Sequence, residues 1–155
     1  MKNYMKLEIS ALSVNEGFAR SAVAAFALSL TPSLTELSDI KTAVSEAVTN
    51  CIVHAYKTRS EENKILIECS AETGDGEEGV LHIQVTDFGC GIEDVEKATL
   101  PFYTTLQNEE RSGMGFTIMQ TFMSDFSLQS EQGKGTVVCM RKKISKKNEK
   151  EAVDA

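Results

Sequence analysis

The sequence predicts a two-layer α+β sandwich, in which a mostly antiparallel mixed sheet is covered by helices on one face. Two observations favour this fold. Short runs of alternating apolar and polar residues are joined by polar, glycine-rich turns, which is typical of consecutive antiparallel strands. Longer segments carry apolar residues every three or four positions, which indicates helices. The predicted order is β-α-α-β-β, a loop with a short helix, and then α-β-β.

Two capping boxes mark the starts of the first two predicted helices. Ser13 with Glu16, and Ser33 with Glu36, have the spacing at which a serine and a glutamate satisfy each other's backbone N–H groups. We therefore expect one helix to begin after Ser13 and the next to begin after Ser33.

The apolar spacing sets the extent of the elements. The first two helices are expected to end near Leu30 and Tyr56, and a third main helix to cover 115–123. Their apolar residues are Phe18, Ala22, Phe26 and Leu30, then Leu37, Ile40, Val44, Val48, Cys51 and Ala55, then Phe116, Met119, Phe122 and Met123. The other predicted elements are strands at 4–11, 64–71, 80–86, 126–130 and 136–144, and a short helix at 94–98. We expect one domain over 1–144 and a charged, disordered tail over 145–155.

Composition narrows the class of protein. The 155 residues carry a formal net charge of −7, which argues against nucleic-acid binding because phosphate contacts need a basic surface. The four cysteines are scattered without metal-ligand spacing and are expected to be free thiols. No apolar stretch reaches membrane-spanning length and the N-terminus lacks a signal-peptide core, so we expect a cytoplasmic protein.

Two familiar nucleotide-binding motifs do not account for this sequence. The chain contains no GxxxxGK[ST] loop. Asp87-Phe88-Gly89 matches the protein-kinase DFG, but no HRD loop precedes it and no glycine-rich hairpin with a following lysine stands upstream. The DFG match is therefore accidental.

Three other patterns occur together. Glu46, Asn50 and His54 are spaced by four on one flank of the second helix, and Glu46 and Asn50 point away from its apolar stripe. A strand ends in Asp87 and is followed by Gly89 and Gly91. Residues 111–116, RSGMGF, run straight into a helix start, where backbone N–H groups suit an anionic phosphate.

This combination, a helical E…N, a strand-end DxGxG and a GxG that opens a helix, resembles the N, G1 and G2 boxes of the GHKL (Bergerat-fold) ATPase/kinase superfamily. SEAVTN, DFGCGI and RSGMGFTIM, with the N-terminal KLEISALSVNEGFAR, more narrowly resemble the sporulation anti-sigma factors that are also serine kinases. The resemblance covers residues 1 to about 144.

The resemblance implies a role for each box. Glu46 would take the proton from the attacking hydroxyl. Asn50 would coordinate Mg²⁺ at the nucleotide phosphates. Asp87 would accept the exocyclic amine of adenine, and Gly89 and Gly91 would make room for the ring.

The remaining ATP/ADP contacts that it implies lie near the third main helix and the last hairpin. Thr136 would be a second adenine contact, glycines of the G2 box would cradle phosphates, and 101–112 would form a lid. The family lysine after the paired lid threonines is Leu106 here, which puts that phosphate contact in doubt, although Arg111 would be able to substitute. The expected nucleotide-binding residues of this part are Thr104, Thr105, Arg111, Ser112, Gly113, Met114, Gly115 and Thr136.

The resemblance also implies partners. A sigma factor of the sigma-F type would be held, and an anti-anti-sigma protein phosphorylated on serine, with Glu16 and Arg20 on the partner-binding surface. A homodimer is expected, in which the strand at 4–11 pairs or packs across the interface.

Three alternatives stay open from the sequence. The first is a nucleotide-gated binding module without useful kinase activity. The second is a catalytic domain of a histidine kinase, and the third is a stress-response anti-sigma kinase. No phosphoacceptor helix is present, which disfavours the histidine kinase, and we expect His54 to be structural.

Overall fold

Within the described residues of a computed structural model, 1–58, 60–74, 78–100 and 114–145, five strands and four α-helices follow the predicted order. The strands are β1 (Lys2–Ser10), β2 (Lys64–Glu72), β3 (Gly79–Asp87), β4 (Asp125–Glu131) and β5 (Gly135–Ile144). The helices are α1 (Asn15–Ala27), α2 (Leu34–Asn50), α3 (Val95–Ala98) and α4 (Gly115–Phe122). A 3₁₀ turn, Leu28–Leu30, extends α1 to the predicted end.

The strands form one sheet in the order β1-β2-β3-β5-β4, and every pairing in it is antiparallel. The α+β prediction is confirmed, and the sheet is antiparallel throughout rather than mixed. The β2–β3 register ends with Ile65 opposite Asp87, and the β3–β5 register ends with Asp87 opposite Thr136. The end of β3 therefore lies in the middle of the sheet, with a neighbouring strand on each side.

The core lies between one face of the sheet and the helices, as expected for this layer arrangement. Alternate residues of the central strands point into it, and each fully buried Ile, Leu or Val contributes about 1.5–3 kcal/mol to folding. The strands supply Ile65, Ile67, Leu81, Ile83, Val85, Val138 and Met140, and the helices supply Val23, Ile40, Val44, Val48 and Met119. No helix in the described ranges is long and apolar enough to cross a membrane.

The predicted start and apolar face of α1 need correction. The N-cap position is Val14 and not Ser13, Val14 itself has helical torsion angles (φ −62°, ψ −23°), and no side chain caps the helix. Glu16 instead accepts a hydrogen bond of 2.5 Å from the Ser45 hydroxyl. The buried face is Ala19, Val23 and Ala27, one residue on from the predicted Phe18, which is 55% exposed.

The capping box of α2 is confirmed. The Ser33 hydroxyl accepts the Glu36 N–H at 3.1 Å, and the Ser33 N–H donates to Glu36 Oε1 at 2.8 Å. Glu36 Oε2 also accepts the N–H and the hydroxyl of Ser145, at 2.8 and 2.9 Å. Burial opposes ionisation of Glu36, but these hydrogen bonds outweigh it and lower the pKa of that carboxyl. One glutamate thus joins the start of α2 to the end of β5.

The helix continues beyond Asn50 as a π-helical turn, Cys51–Ala55, which the sequence pattern did not reveal. This turn carries the backbone to Ala55, whose carbonyl accepts the Cys90 N–H at 2.7 Å. The end of the α2 segment is therefore tied to the loop that follows β3.

The two serines that open predicted capping boxes make a matched pair. We expect Ser33→Ala to lower the free energy of unfolding by about 1 kcal/mol, because it removes a side-chain cap. Urea unfolding at pH 7 measures the effect. Ser13→Ala is the control and should leave stability unchanged, since Ser13 is exposed and caps nothing. Equal losses in the two variants would contradict the corrected start of α1.

Candidate active site

A cavity of about 840 Å³ opens where α2, its π-turn, the end of β3, the start of α4 and the β4–β5 turn meet. Its size is in the range of small-molecule sites. We call it the central cavity. Residues from all three predicted boxes line it, among them Glu46, Asn50, Asp87, Gly89, Gly91, Met114, Gly115 and Thr136.

The polar flank of α2 faces the central cavity as its spacing predicts. Glu46, Asn50 and His54 all line it, whereas Val44 and Val48 on the opposite side are fully buried. One face of a single helix therefore brings a carboxylate, an amide and an imidazole to the same cavity.

The start of α4 approaches this flank closely. A Cβ placed on Gly115 would lie 3.1 and 3.2 Å from the amide atoms of Asn50 and 3.2 Å from Glu46 Oε2. Only a glycine leaves both side chains undisturbed at this distance. The carboxylate, the amide and the N-terminus of α4 thus converge on one point, where a phosphate group would meet backbone N–H groups.

Asp87 ends β3 as a buried carboxylate, 5% exposed. Burial raises its pKa, and hydrogen bonds from the Gly89 N–H (3.0 Å), the Cys51 thiol and the Thr136 N–H oppose that rise. The Cys51 thiol has its own pKa raised by burial and by Asp87, so it stays protonated and able to donate. A desolvated carboxylate that lines a cavity is suited to accept a further N–H donor from a ligand.

Thr136 lies beside Asp87 on the neighbouring strand and is held by Ser130. The two hydroxyls are 2.8 Å apart, and Ser130 Oγ also accepts the Ile92 N–H at 2.7 Å and donates to the Gly135 carbonyl at 3.0 Å. Ser130 thereby links the β4–β5 hairpin to the loop after β3. Sequence analysis missed Ser130, because this link depends on residues far apart in the chain.

Gly89 and Gly91 line the central cavity; room for an adenine ring stays a prediction, and their Cβ positions show a further reason for glycine. A Cβ on Gly89 would lie 2.0 Å from the Ala55 carbonyl oxygen. A Cβ on Gly91, where φ is +74°, would lie 2.2 Å from the Glu131 carbonyl oxygen. The glycines let this loop pack against the π-turn and the β4–β5 turn, and that packing shapes the cavity wall.

Other predicted site residues lie outside the described part of the chain. These are Thr104, Thr105, Arg111, Ser112 and Gly113, together with the rest of the predicted lid. Their roles stay predictions. Of the G2 box, the structure places Met114 and Gly115 at the central cavity.

Glu16 and Arg20, the predicted partner-binding residues, lie together on α1, with Arg20 Nη1 3.6 Å from Glu16 Oε1. Arg20 borders a groove of about 550 Å³ between α1 and α2, which also contains Leu34, Leu37, Lys41 and Glu46. We call it the α1–α2 groove. Glu46 therefore lines both the groove and the central cavity.

The α2 flank opposite the start of α4 fits a hard cation. The Asn50 amide supplies an oxygen donor there beside the Glu46 carboxylate, and oxygen atoms are the ligands that Mg²⁺ prefers. Within the described residues no three His, Cys, Asp or Glu side chains form a metal cage. Mg²⁺ at nucleotide sites uses one or two protein ligands and takes the rest from phosphates and water.

Comparisons with known proteins identify the family of the chain. The model of the histidine kinase-like ATPase domain matches residues 9–142. The chain belongs to this family. Membership of a family of ATPases implies that the chain binds a nucleotide.

Two curated relatives align with nearly the whole chain. An anti-sigma F factor of Caldanaerobacter subterraneus is 54% identical over 93% of this chain and 96% of its own. An anti-sigma F factor of Clostridium perfringens is 50% identical over 94% of this chain and 99% of its own. The RsbU and RsbW domains of a Mycobacterium tuberculosis protein share the fold, with a TM-score of 0.63 and 18% identity over 93% of this chain and 33% of that one.

A substitution at Gly115 tests whether the phosphates bind where Glu46, Asn50 and the N-terminus of α4 converge. We expect Gly115→Ala to weaken ATP binding about tenfold, about 1.4 kcal/mol, because the new methyl group displaces the Asn50 and Glu46 side chains. Titration calorimetry with ATP and Mg²⁺ measures the change.

Gly17→Ala is the control for a helical glycine. Its Cβ would meet only Arg20 Nη2, at 3.6 Å, so ATP affinity should not change. Normal ATP binding by Gly115→Ala would contradict the proposed place of the phosphates.

Proposed function

We propose that the chain is a cytoplasmic, Mg²⁺- and ATP-dependent serine protein kinase that also acts as an anti-sigma factor in sporulation. It binds and inhibits a sigma factor of the sigma-F type and phosphorylates an anti-anti-sigma protein on serine. The observation that carries the kinase proposal is the position of Glu46 between two openings. A carboxylate that borders both the nucleotide cavity and an outer groove is placed to meet a hydroxyl from a docked protein.

The transfer step follows from this position. The serine hydroxyl gives its proton to the Glu46 carboxylate while its oxygen forms a bond to the γ-phosphorus of ATP. The bond from the γ-phosphorus to the bridging oxygen breaks, and ADP leaves. Mg²⁺, held by Asn50 and the phosphates, would supply positive charge for the phosphate oxygens when bound.

The nucleotide would lie with its base at Asp87 and its phosphates at α4. Adenine presents an amine where guanine presents a carbonyl oxygen, so a carboxylate acceptor selects adenine. Thr136 lines the cavity beside Asp87 and would be the second base contact. Met114 and Gly115 open α4, whose N-terminal N–H groups would face the phosphates.

The partner proposal rests on the relatives and on the α1–α2 groove. Relatives at 50–54% identity carry the name anti-sigma F factor. Arg20 and Lys41 are two cationic side chains in the groove beside the Glu46 carboxylate, and Leu34, which is 85% exposed, gives it an apolar rim. These features suit a protein surface with acidic and apolar groups. The homodimer stays a prediction, and β1, as an edge strand of the described sheet, is the element we expect at its interface.

Glu46→Gln tests the proposed base. We expect phosphoryl transfer to the anti-anti-sigma protein to fall by about 10²–10⁴-fold, because an amide cannot take the hydroxyl proton. ATP affinity should remain within about threefold, equivalent to roughly 0.7 kcal/mol. Radiolabelled γ-phosphate measures transfer, and calorimetry measures binding.

The control for this change is Glu62→Gln, at an exposed glutamate away from the cavity, which should transfer at the normal rate. Normal transfer by Glu46→Gln would refute the assignment of the base. Label on no partner protein, with intact ATP binding, would favour a nucleotide-gated binding module.

Arg20→Ala tests the partner surface. We expect it to weaken binding of the sigma-F-type factor about tenfold, about 1.4 kcal/mol, without changing ATP affinity. Arg141→Ala is the matched control, since Arg141 is equally exposed and also ion-paired but lies on β5. A pull-down titration with the purified factor separates the two, and equal effects would remove Arg20 from the interface.

A further inference from the structure

Tyr56, which follows the π-turn, joins two strands through its hydroxyl group. The hydroxyl accepts the Phe88 N–H at 2.9 Å and donates to the carbonyl oxygen of Lys64. Phe88 directly follows Asp87, and Lys64 is the first residue of β2. Tyr56 itself lines the central cavity.

The β2–β3 register explains what this hydroxyl replaces. Ile65 pairs with Asp87, so Lys64 and Phe88 would be the next pair of the ladder. In a continued ladder the Phe88 N–H would donate directly to the Lys64 carbonyl. The Tyr56 hydroxyl lies between these two groups and makes both hydrogen bonds. It therefore ends the ladder at Asp87 without leaving either backbone group unsatisfied.

The separation of the strands determines where Asp87 is held. The Gly89 N–H donates to Asp87 Oδ1. Phe88 lies between these two residues in the chain, and its own N–H is held by the Tyr56 hydroxyl. A slip of Phe88 back onto β2 would draw the turn, and with it the Gly89 N–H, away from the carboxylate. Burial raises the pKa of Tyr56, which keeps the hydroxyl protonated and able to donate.

We propose that Tyr56 is a positioning residue for base recognition, whose hydroxyl holds the end of the β2–β3 ladder open and thereby orients Asp87 toward an adenine amine. This inference rests on the proposed function, because it needs an adenine nucleotide in the central cavity. Tyr56 acts through Phe88 and Asp87, so its effect falls on the base and not on the phosphates.

Tyr56→Phe keeps the ring and removes only the hydroxyl. We expect the affinity for ATP to fall about tenfold and the affinity for GTP to stay the same, so that the preference for ATP over GTP shrinks by the same factor. Calorimetric titrations of both nucleotides with Mg²⁺ give the ratio. Tyr4→Phe is the matched control, since the Tyr4 hydroxyl also bonds a partner, Glu68 Oε1 at 3.0 Å, on the exposed side of the sheet.

An unchanged ATP-to-GTP ratio in Tyr56→Phe would overturn the inference. So would an equal loss of affinity for the two nucleotides, because a general loosening of the site would produce that result. If the unmodified chain binds no ATP, the proposed function falls as well. If the unmodified chain binds ATP normally and Tyr56→Phe leaves the ATP-to-GTP affinity ratio unaltered, only the role of Tyr56 is refuted.

Hydrogen exchange in the unmodified chain gives a second test that does not need the variant to fold. The Phe88 N–H is hydrogen-bonded to Tyr56, so we expect slow exchange of this amide in the free protein. ADP should slow it further and GDP should not. Fast exchange in the free protein, or equal protection by ADP and GDP, would contradict the proposal.

Discussion

The burial of the Asp87 carboxylate is the constraint on which the rest of the site depends. A charged group at 5% exposure is costly unless its oxygens are hydrogen-bonded, so three segments of the chain converge on it. The π-turn brings the Cys51 thiol, β5 brings the Thr136 N–H, and the loop after β3 brings the Gly89 N–H. Gly135 shows how close this approach is, because a Cβ there would lie 2.2 Å from the Asp87 carbonyl oxygen. The cavity exists because these segments meet without filling the space beside the carboxylate.

The other half of the site is built from two helices, α2 and α4, which approach each other closely. The flank of α2 supplies Glu46 and Asn50, and α4 begins against them at Gly115. The Lys142 ammonium holds this arrangement from the far end of α4, since it donates to the Phe122 carbonyl at 2.6 Å and to Asp39 on α2 at 3.0 Å. The proposed base recognition and phosphate chemistry thus have separate supports, one in the end of the sheet and one in the helix layer.

Local sequence patterns predicted the elements, and together with the family resemblance they named the polar and glycine residues of the three boxes that line the cavity. The spacing of Glu46 and Asn50 placed them on one helical face, and the alternating run before Asp87 placed that residue at the end of a strand, because both positions depend only on periodicity. The supporting contacts of Tyr56 and Ser130 were not predicted, since each joins segments that are distant in the chain. The predicted cap at Ser13 is absent because the N-cap position of α1 is Val14, one residue later, and no side chain caps this helix. The glycines after Asp87 were found, but their purpose depends on backbone neighbours that no local pattern contains.

A crystal structure of the chain with Mg²⁺ and a non-hydrolysable ATP analogue tests the central claim most directly. We expect the adenine amine within about 3 Å of an Asp87 carboxylate oxygen, with the phosphates between Asn50 and the first turn of α4. A nucleotide bound outside the central cavity, or one whose base lies away from Asp87, would contradict the function proposed for this carboxylate.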